Sequence, residues 1–561
     1  FTRQAADQVA QVNATCLRTL VDKSMLQASA GSYRMHDMLR QYGAEKLAAD
    51  TPAIHQVRDA HCGYFLQRLA GYEPRLKSAQ RSSGLNELDA EINDLQAAWE
   101  WACRQGQLSW LASCLSGLGL YYEMRVRYKE GEQACQVGLN AVPASPEQES
   151  EAAVLRARLL LWQANFLALS GELEEARMLR QQAEELLAKL EAEGLDVRRP
   201  RAMYWQLEGE AQAELKAKLA CYQRGINLYQ SLGDAWRQAS LLVWAGEYAM
   251  RLGDPALALS TQQEALRLAR QLGEPGLLLH CLRQSTYLYS ALNQYENFHR
   301  LMQETVTVLE SVAELPLRAY AQMHLGMQFN HIGHYAEAIR HLEQSVPVLR
   351  SLGYHYGMVY GGFALGLGYT MHGEYERGAA ILQTTLQEGD KWGILRETTT
   401  GLYALGMVAV VQGRLTDALD YFSQTVQRYR SMQFGGELGM AYCGLALAQS
   451  AAGQAEAARD NLREALLIAE KTHNMATMLM GWPAVVLYFA RYRPLEKALL
   501  MHRLASRIPF LHNSIWYGDI IGNEMEAQWQ TLSPEQQEAI DATVKSHTPF
   551  SIIPEVLEML A

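Results

Sequence analysis

Apolar and polar residues recur along most of this chain with a helical spacing, and the spacing itself repeats. Compared with itself at an offset of 40 residues, the sequence aligns Gly253, Asn293, Gly333, Gly373, Gly413 and Gly453, with Arg493 in the next place. Each lies between two amphipathic stretches, where a residue tolerant of positive φ lets the chain reverse between antiparallel helices. Gly233, Gly273, Gly353 and Gly393 share a second register, at the end of the second stretch of each unit. Two punctuation marks per period predict two helices per period, and hence an all-α, superhelical solenoid.

The apolar positions say what kind of unit this is. Around Gly333, Leu325, Gly326 and Phe329 precede the turn, and Tyr335, Ala338 and Leu342 follow it. The next units place Leu365, Gly366, Tyr369, Tyr375, Gly378 and Leu382, then Leu405, Gly406, Ala409, Leu415, Ala418 and Phe422, in the same positions. The unit at Gly453 has Leu445, Ala446, Gln449, Ala455, Ala458 and Leu462. This pattern resembles the tetratricopeptide repeat, lengthened from its usual period of about 34 residues to about 40. Small residues such as Gly326 and Ala338 are expected to face each other where two helix backbones approach closely. The register is strong over residues 200–510 and weaker upstream, where Gly171 marks a similar turn. Residues 211–225 lack a turn glycine, so that unit is degenerate, and loops are expected at Pro143–Pro146 and at Glu193, Gly194 and Pro200. From Ser533 to Ala561 the period is lost, as expected for a terminal cap on the last apolar face.

The first fifty residues follow another plan. Residues 15–27 read as a helix, Ala30-Gly31-Ser32 as a turn, Tyr33–Met35 as a short strand, and His36 to about Leu47 as a second helix. Leu20-Val21-Asp22-Lys23-Ser24, followed by Tyr33-Arg34-Met35-His36-Asp37-Met38-Leu39-Arg40-Gln41-Tyr42, closely resembles the winged-helix end of the STAND signalling ATPases. Residues 88–102 resemble the first helix after that module in bacterial members. The resemblance implies that His36, in the family's Met-His-Asp triplet, contacts the β-phosphate of ADP in the full-length parent, with Asp37 its structural neighbour. It also implies ADP or ATP with magnesium as cofactors there, held by an upstream nucleotide-binding domain. A histidine N–H at a helix start suits a phosphate, because the helix N-terminus already favours anions.

Composition narrows the function. Forty-nine per cent hydrophobic and 20% charged residues suit a folded protein, and a net charge of −11 offers no basic field for nucleic acid. Arg18 and Lys23 are too few cations for the helix at 15–27 to bind DNA. No uninterrupted apolar run approaches a membrane span, and the start at Phe1 reads as a fragment of something longer. Eight cysteines without a C-x-x-C pair suggest reduced thiols in the cytoplasm and no metal site. No phosphate loop and no recognisable catalytic motif appears, so the chain is expected to bind rather than catalyse.

The expected organisation is a partial winged helix at 1–50, a helical linker at 51–115, a tetratricopeptide-like solenoid at 116–530 and a cap at 531–561. The first helix of each unit is expected to line a concave binding face. Its outward places hold Glu247, Arg283, Tyr287, His324, Met327, Asn330, Phe363, Thr370, Tyr403, Met407 and Cys443. The cluster of His324, Met327, Asn330 and His331 with Phe363 is the strongest candidate for an inducer, small molecule or protein. Gly361, Gly362, Gly366 and Gly368 read as close helix packing rather than a phosphate loop. On this reading the chain is the sensing arm of a STAND ATPase, where inducer relieves ADP-bound autoinhibition and permits oligomerisation; the alternative is a constitutive protein-interaction scaffold.

Overall fold

The glycines in register are helix ends. In the computed structural model, which describes residues 1–29, 32–48, 51–143, 150–292, 294–432, 435–472, 475–548 and 551–561, Gly253, Gly333, Gly373, Gly413 and Gly453 all have positive φ. So do Gly233, Gly273, Gly353 and Gly393 in the second register. First helices accordingly start at Ala235, Pro275, Leu315, His355, Leu395, Gly435 and Met475, and second helices at Pro255, Tyr295, Tyr335, Tyr375, Leu415, Ala455 and Leu495. Asn293, the Ala30-Gly31 turn and the loop at Ser145-Pro146 lie outside the described residues.

Helix starts are held by side chains next to those glycines. Asp234 and Asp254 accept hydrogen bonds from the amides of Arg237 and Leu257 at 3.1 and 2.9 Å. Glu274, fully buried, accepts from the amides of Gly276 and Leu277 at 2.7 and 2.8 Å, and pairs with Arg81 at 3.0 Å. The small residues inside the repeats serve contact. A Cβ on Gly326 would stand 2.6 Å from Leu342 Cγ and 3.1 Å from the Ala338 carbonyl, and Gly406 would meet Phe422 at 2.7 Å. Gly361 and Gly362 are likewise closed off by Val346 and Thr385.

The chain forms two compact units, Phe1–Leu288 and Tyr289–Ala561. The first begins with a helix, Arg3–Ala10, then Ala14–Asp22, an antiparallel hairpin of Leu26–Ser29 and Ser32–Met35, and the helix Asp37–Ala48. The helix expected over 15–27 stops at Asp22, because Ser24 turns the chain at φ 57° and Leu26 enters the hairpin. Ala6, Leu17 and Leu26 form a small core there. Within the stretch expected as a helical linker, Thr51–Ala70 and Tyr72–Leu76 precede Arg81–Arg104, which contains residues 88–102. Phe65, Leu69, Trp99, Leu115, Leu159 and Trp162 share the main core of this unit. The boundary expected at 115/116 falls inside the helix Leu108–Met124. Ser150–Ser170 is the one described helix long and apolar enough to cross a membrane, and 72% of its apolar stretch is buried within the protein. The degenerate unit pairs a 14-residue helix, Arg198–Ala211, with Leu215–Ser231.

In the second unit the repeat ends earlier than the sequence suggests. The last paired helix, Leu495–Ala505, has 11 residues, and the chain leaves the period at Ser506 instead of near Ser533. Pro509 and the extended Ile508 break the helix there. The following residues fold back on the ends of the first helices. Tyr335 donates to the Phe510 carbonyl, Trp516 Nε1 donates to the Met407 carbonyl at 3.0 Å, and Tyr375 donates to Asp519 at 2.5 Å. Arg491 closes the run with two bonds to Glu524 at 2.7 and 3.0 Å. Pro534–Ser546, whose Ser533 and Gln536 make a capping box, and Ile553–Leu560 complete the chain, the latter burying Ile553, Val556 and Leu560.

Candidate functional site

The candidate residues of the second unit separate into two groups. Tyr403 and Met407 are 1% and 0% exposed, and Phe363, Thr370 and Cys443 are also buried. These are corrections to the expected outward places. Tyr403 packs edge-on against Phe422 with centroids 5.1 Å apart and donates to the Met480 carbonyl at 3.2 Å. Met407 lies in the same core as Phe363, its carbonyl taken by Trp516. Thr370 donates to the Gly366 carbonyl at 2.8 Å, and the Cys443 thiol abuts Gly481, with burial raising its pKa to about 12. Asn330, 2% exposed, donates to the Ala364 carbonyl at 2.8 Å and so ties one repeat to the next. The register was right, but it does not reveal what lies over a position.

His324 and Met327 stay half-buried, and His324 leads to the surface feature that best suits a ligand. Its ring stands 4.5 Å from that of Tyr320 and 5.8 Å from that of Tyr360. Tyr320 in turn contacts Tyr354 at 6.1 Å, and Tyr356 stacks on Tyr360 at 5.6 Å. Tyr354 and Tyr356 are 40% and 41% exposed, which is unusual for large aromatic rings gathered in one place. Tyr320 and Tyr360 occupy the same place in successive repeats, on Leu315–His331 and His355–Met371. Tyr354 caps and Tyr356 opens the helix that carries Tyr360, which brings both beside the Tyr320 and His324 rings. The rim is polar: Tyr356 donates to Glu397 at 3.2 Å, and Arg396 pairs with Glu437 at 2.8 Å. Burial and then Glu397 push the Tyr356 hydroxyl above its ordinary pKa, so it remains a donor. Such a patch can stack on a flat or extended ligand and fix its orientation through hydroxyls. The sequence signal was the i, i+4 pairs Tyr320/His324 and Tyr356/Tyr360; the partners of His324 were missed.

The first unit holds the other candidates. Arg283 Nη2 lies 3.4 Å from His280 Nδ1, and His280 sits against Trp244 with centroids 5.4 Å apart. Burial, with Arg283 adding repulsion, drives the His280 pKa down to about 3. Tyr287 is exposed, and Glu247 accepts from Gln284 at 2.7 Å. His36 and Asp37 are both exposed at the start of their helix. His36 Nδ1 accepts the Met38 amide at 3.3 Å and its carbonyl accepts from Arg40 at 3.0 Å, so the residue caps the helix. With Nδ1 an acceptor, the neutral ring carries its proton on Nε2. Asp37 pairs with Arg40 at 3.1 Å on the open surface. Met38 and Tyr42 on the same helix are 75% and 59% exposed.

Two family models match parts of the chain: tetratricopeptide repeat over residues 397–471, and anaphase-promoting complex subunit 5 over residues 278–357. No curated protein matches it by sequence. Among solved structures, it is similar to a STAND protein with a tetratricopeptide repeat sensor from Pyrococcus horikoshii, at 13% identity and a TM-score of 0.41 over 77% of this chain. It spans 60% of that protein's length. It is also similar to a Rap protein complexed with Competence and Sporulation Factor, at 13% identity and a TM-score of 0.40, covering 64% of this chain and 98% of that one. A third is aspartyl phosphate phosphatase F from Bacillus subtilis, at 12% identity and a TM-score of 0.42, covering 62% and 91%. The chain is thus built of tetratricopeptide-type helical repeats, an architecture suited to protein or ligand interaction.

Proposed function

We propose that this chain is the sensing arm of a STAND-class signalling ATPase, acting by binding rather than catalysis, and that its inducer binds on the Tyr320, His324, Tyr354, Tyr356 and Tyr360 patch. The observation that carries this reading is the exposure of Tyr354 and Tyr356 within a cluster of five aromatic rings, while the candidates Phe363 and Tyr403 are buried. Exposed aromatic surface with a hydrogen-bonding rim is what recognition uses and what a repeat array does not otherwise need.

The switching role rests on the Met35-His36-Asp37 triplet and its flanking residues. On this reading His36, whose Nδ1 is taken by the Met38 amide at the head of its helix, would donate from Nε2 to a nucleotide phosphate supplied by a nucleotide-binding domain of the full-length parent. Exposed Met38 and Tyr42 give that domain an apolar surface to cover. Inducer would then favour an open state only in proportion to its tighter binding to that state. The test is the melting temperature of the chain in lysate of the source cells, split by ultrafiltration into small-molecule and macromolecular fractions. The reading expects a rise in one fraction that Tyr356→Ala with His324→Ala abolishes, since a ligand of the native state stabilises it. No rise in either fraction, or a rise the double variant leaves intact, would count against it.

A further inference from the structure

We infer that the N-terminal unit contains a binding site for one small oxyanion, a carboxylate or phosphate group, framed by Lys77, Arg158, Arg199 and Arg237. A cavity of about 40 Å³ lies where six helices and two helix caps of this unit meet, lined by Trp162, Leu120 and Met203 together with these four cations. That volume is enough for one compact group and too little for a whole metabolite.

The charges around it do not balance. The lining carries four cations against two carboxylates, Glu73 and Asp234. Both carboxylates are already engaged: Lys77 lies 2.7 Å from each of them, and Arg199 lies 3.0 Å from Glu73. Arg237 has its own partner behind the cavity, Glu123, at 3.3 Å, and lies over the Trp162 ring. Arg158 has none. Its bonds go to the Ala112 carbonyl at 2.7 Å and to Ser116 Oγ at 3.2 Å, two of the five N–H donors a guanidinium offers. Among the described residues no carboxylate pairs with it.

A half-buried guanidinium with no carboxylate in ion-pair contact is costly to keep, and proteins normally pair or neutralise such groups. Burial, with Arg199 adding repulsion and the more distant Glu73 offsetting part of it, lowers the Arg158 pKa only to about 10, so the charge persists at neutral pH. An anion in the cavity removes the imbalance. The fork of Arg158 with the point charge of Lys77 selects an oxyanion, because planar N–H pairs match two oxygens of a carboxylate or phosphate. Arg199, whose side chain is about half exposed, marks the mouth through which the rest of a larger ligand would leave. This site is independent of the aromatic patch in the other unit.

The test is equilibrium dialysis of the whole chain against labelled inorganic phosphate and, separately, labelled acetate, at constant ionic strength in chloride buffer. We expect saturable uptake of about one anion per chain, weakened about tenfold or more by Arg158→Gln. Arg199→Gln, at a half-exposed position, should weaken it several-fold and decides the matter if Arg158→Gln does not fold. Uptake of phosphate alone assigns a phosphoryl group, and of acetate alone a carboxylate. Absence of saturable uptake of both, or uptake that the variants leave unchanged, overturns the site.

Discussion

The two units solve the problem of a stable interior in different ways. In the N-terminal unit, segments far apart in sequence meet through charges: Lys77 reaches Asp234 across 157 residues, Arg81 reaches Glu274 across 193, and Arg199 reaches Glu73 across 126. In the C-terminal unit, distant segments meet mainly through apolar mass, with Phe510, Trp516, Tyr517 and Ile521 of the fold-back segment in one core with Tyr403, Met407 and Phe422. Repeat regularity explains the difference. Where helix starts recur every 40 residues, the same small and large residues fall opposite each other and close the core unaided. Where helices vary from 5 to 24 residues, as over much of the first unit, the joints are irregular and polar side chains bridge them. A charged joint can hold a ligand; a dry one mainly holds the fold.

The largest expected effect comes from removing the keystone of the dry interior. Trp516→Ala leaves a cavity under a 1% exposed ring and should cost the C-terminal unit about 4 kcal/mol. Thiol labelling resolves which unit opens, because Cys443 is the buried cysteine of the C-terminal unit and six others are buried in the N-terminal one. Cys443 should become reactive in denaturant well before those six. The converse change is Glu274→Ala. It deprives Arg81 of its carboxylate and two helix amides of their acceptor, and should cost about 3 kcal/mol, exposing the N-terminal cysteines first. Loss of the same cysteines in both variants would dissolve the contrast. The smallest effect distinguishes turn strain from packing. Gly453→Ala has positive φ but open space, and should cost about 1 kcal/mol. Gly333→Ala, whose Cβ would run into the Pro509 carbonyl, should cost more by chemical denaturation; equal costs would mean the fold-back segment gives way easily.

How much of this was readable beforehand depends on the range of the contacts involved. The period, the turn glycines and the close approach at Gly326 and Gly406 are local or nearest-neighbour features, and all are visible in the order of residues. The hairpin before His36 was partly visible, although the helix before it was drawn too long because Ser24, with no glycine signal, makes the turn. The course of residues 506–530 was not legible. Pro509, Ile515 and Trp516 carry no local sign that they cover the turns at Gly333 and Gly373 and the Met407 carbonyl. For the same reason Tyr403 and Met407 were expected on a surface that other parts of the chain bury. His324, expected at an outward place, is half-buried, with one ring partner, Tyr320, on its own helix and the other, Tyr360, on the first helix of the next repeat. The oxyanion cavity escaped notice altogether, since its cations lie on helices spread from residue 77 to residue 237.

On the proposed reading, recognition in the C-terminal unit takes place at the aromatic patch, and the fold-back segment is a permanent part of the core. Hydrogen exchange, compared with and without the lysate fraction that raises the melting temperature, tests this directly. The account predicts new protection of backbone amides around Tyr320–His324 and Tyr354–Tyr360, with the amides of Phe510–Trp529 equally protected in both states. Ligand-induced loss of protection at Phe510–Trp529, or protection gained only along the helices bearing Tyr403 and Met407, would contradict it and make the fold-back segment a displaceable occupant of the true site.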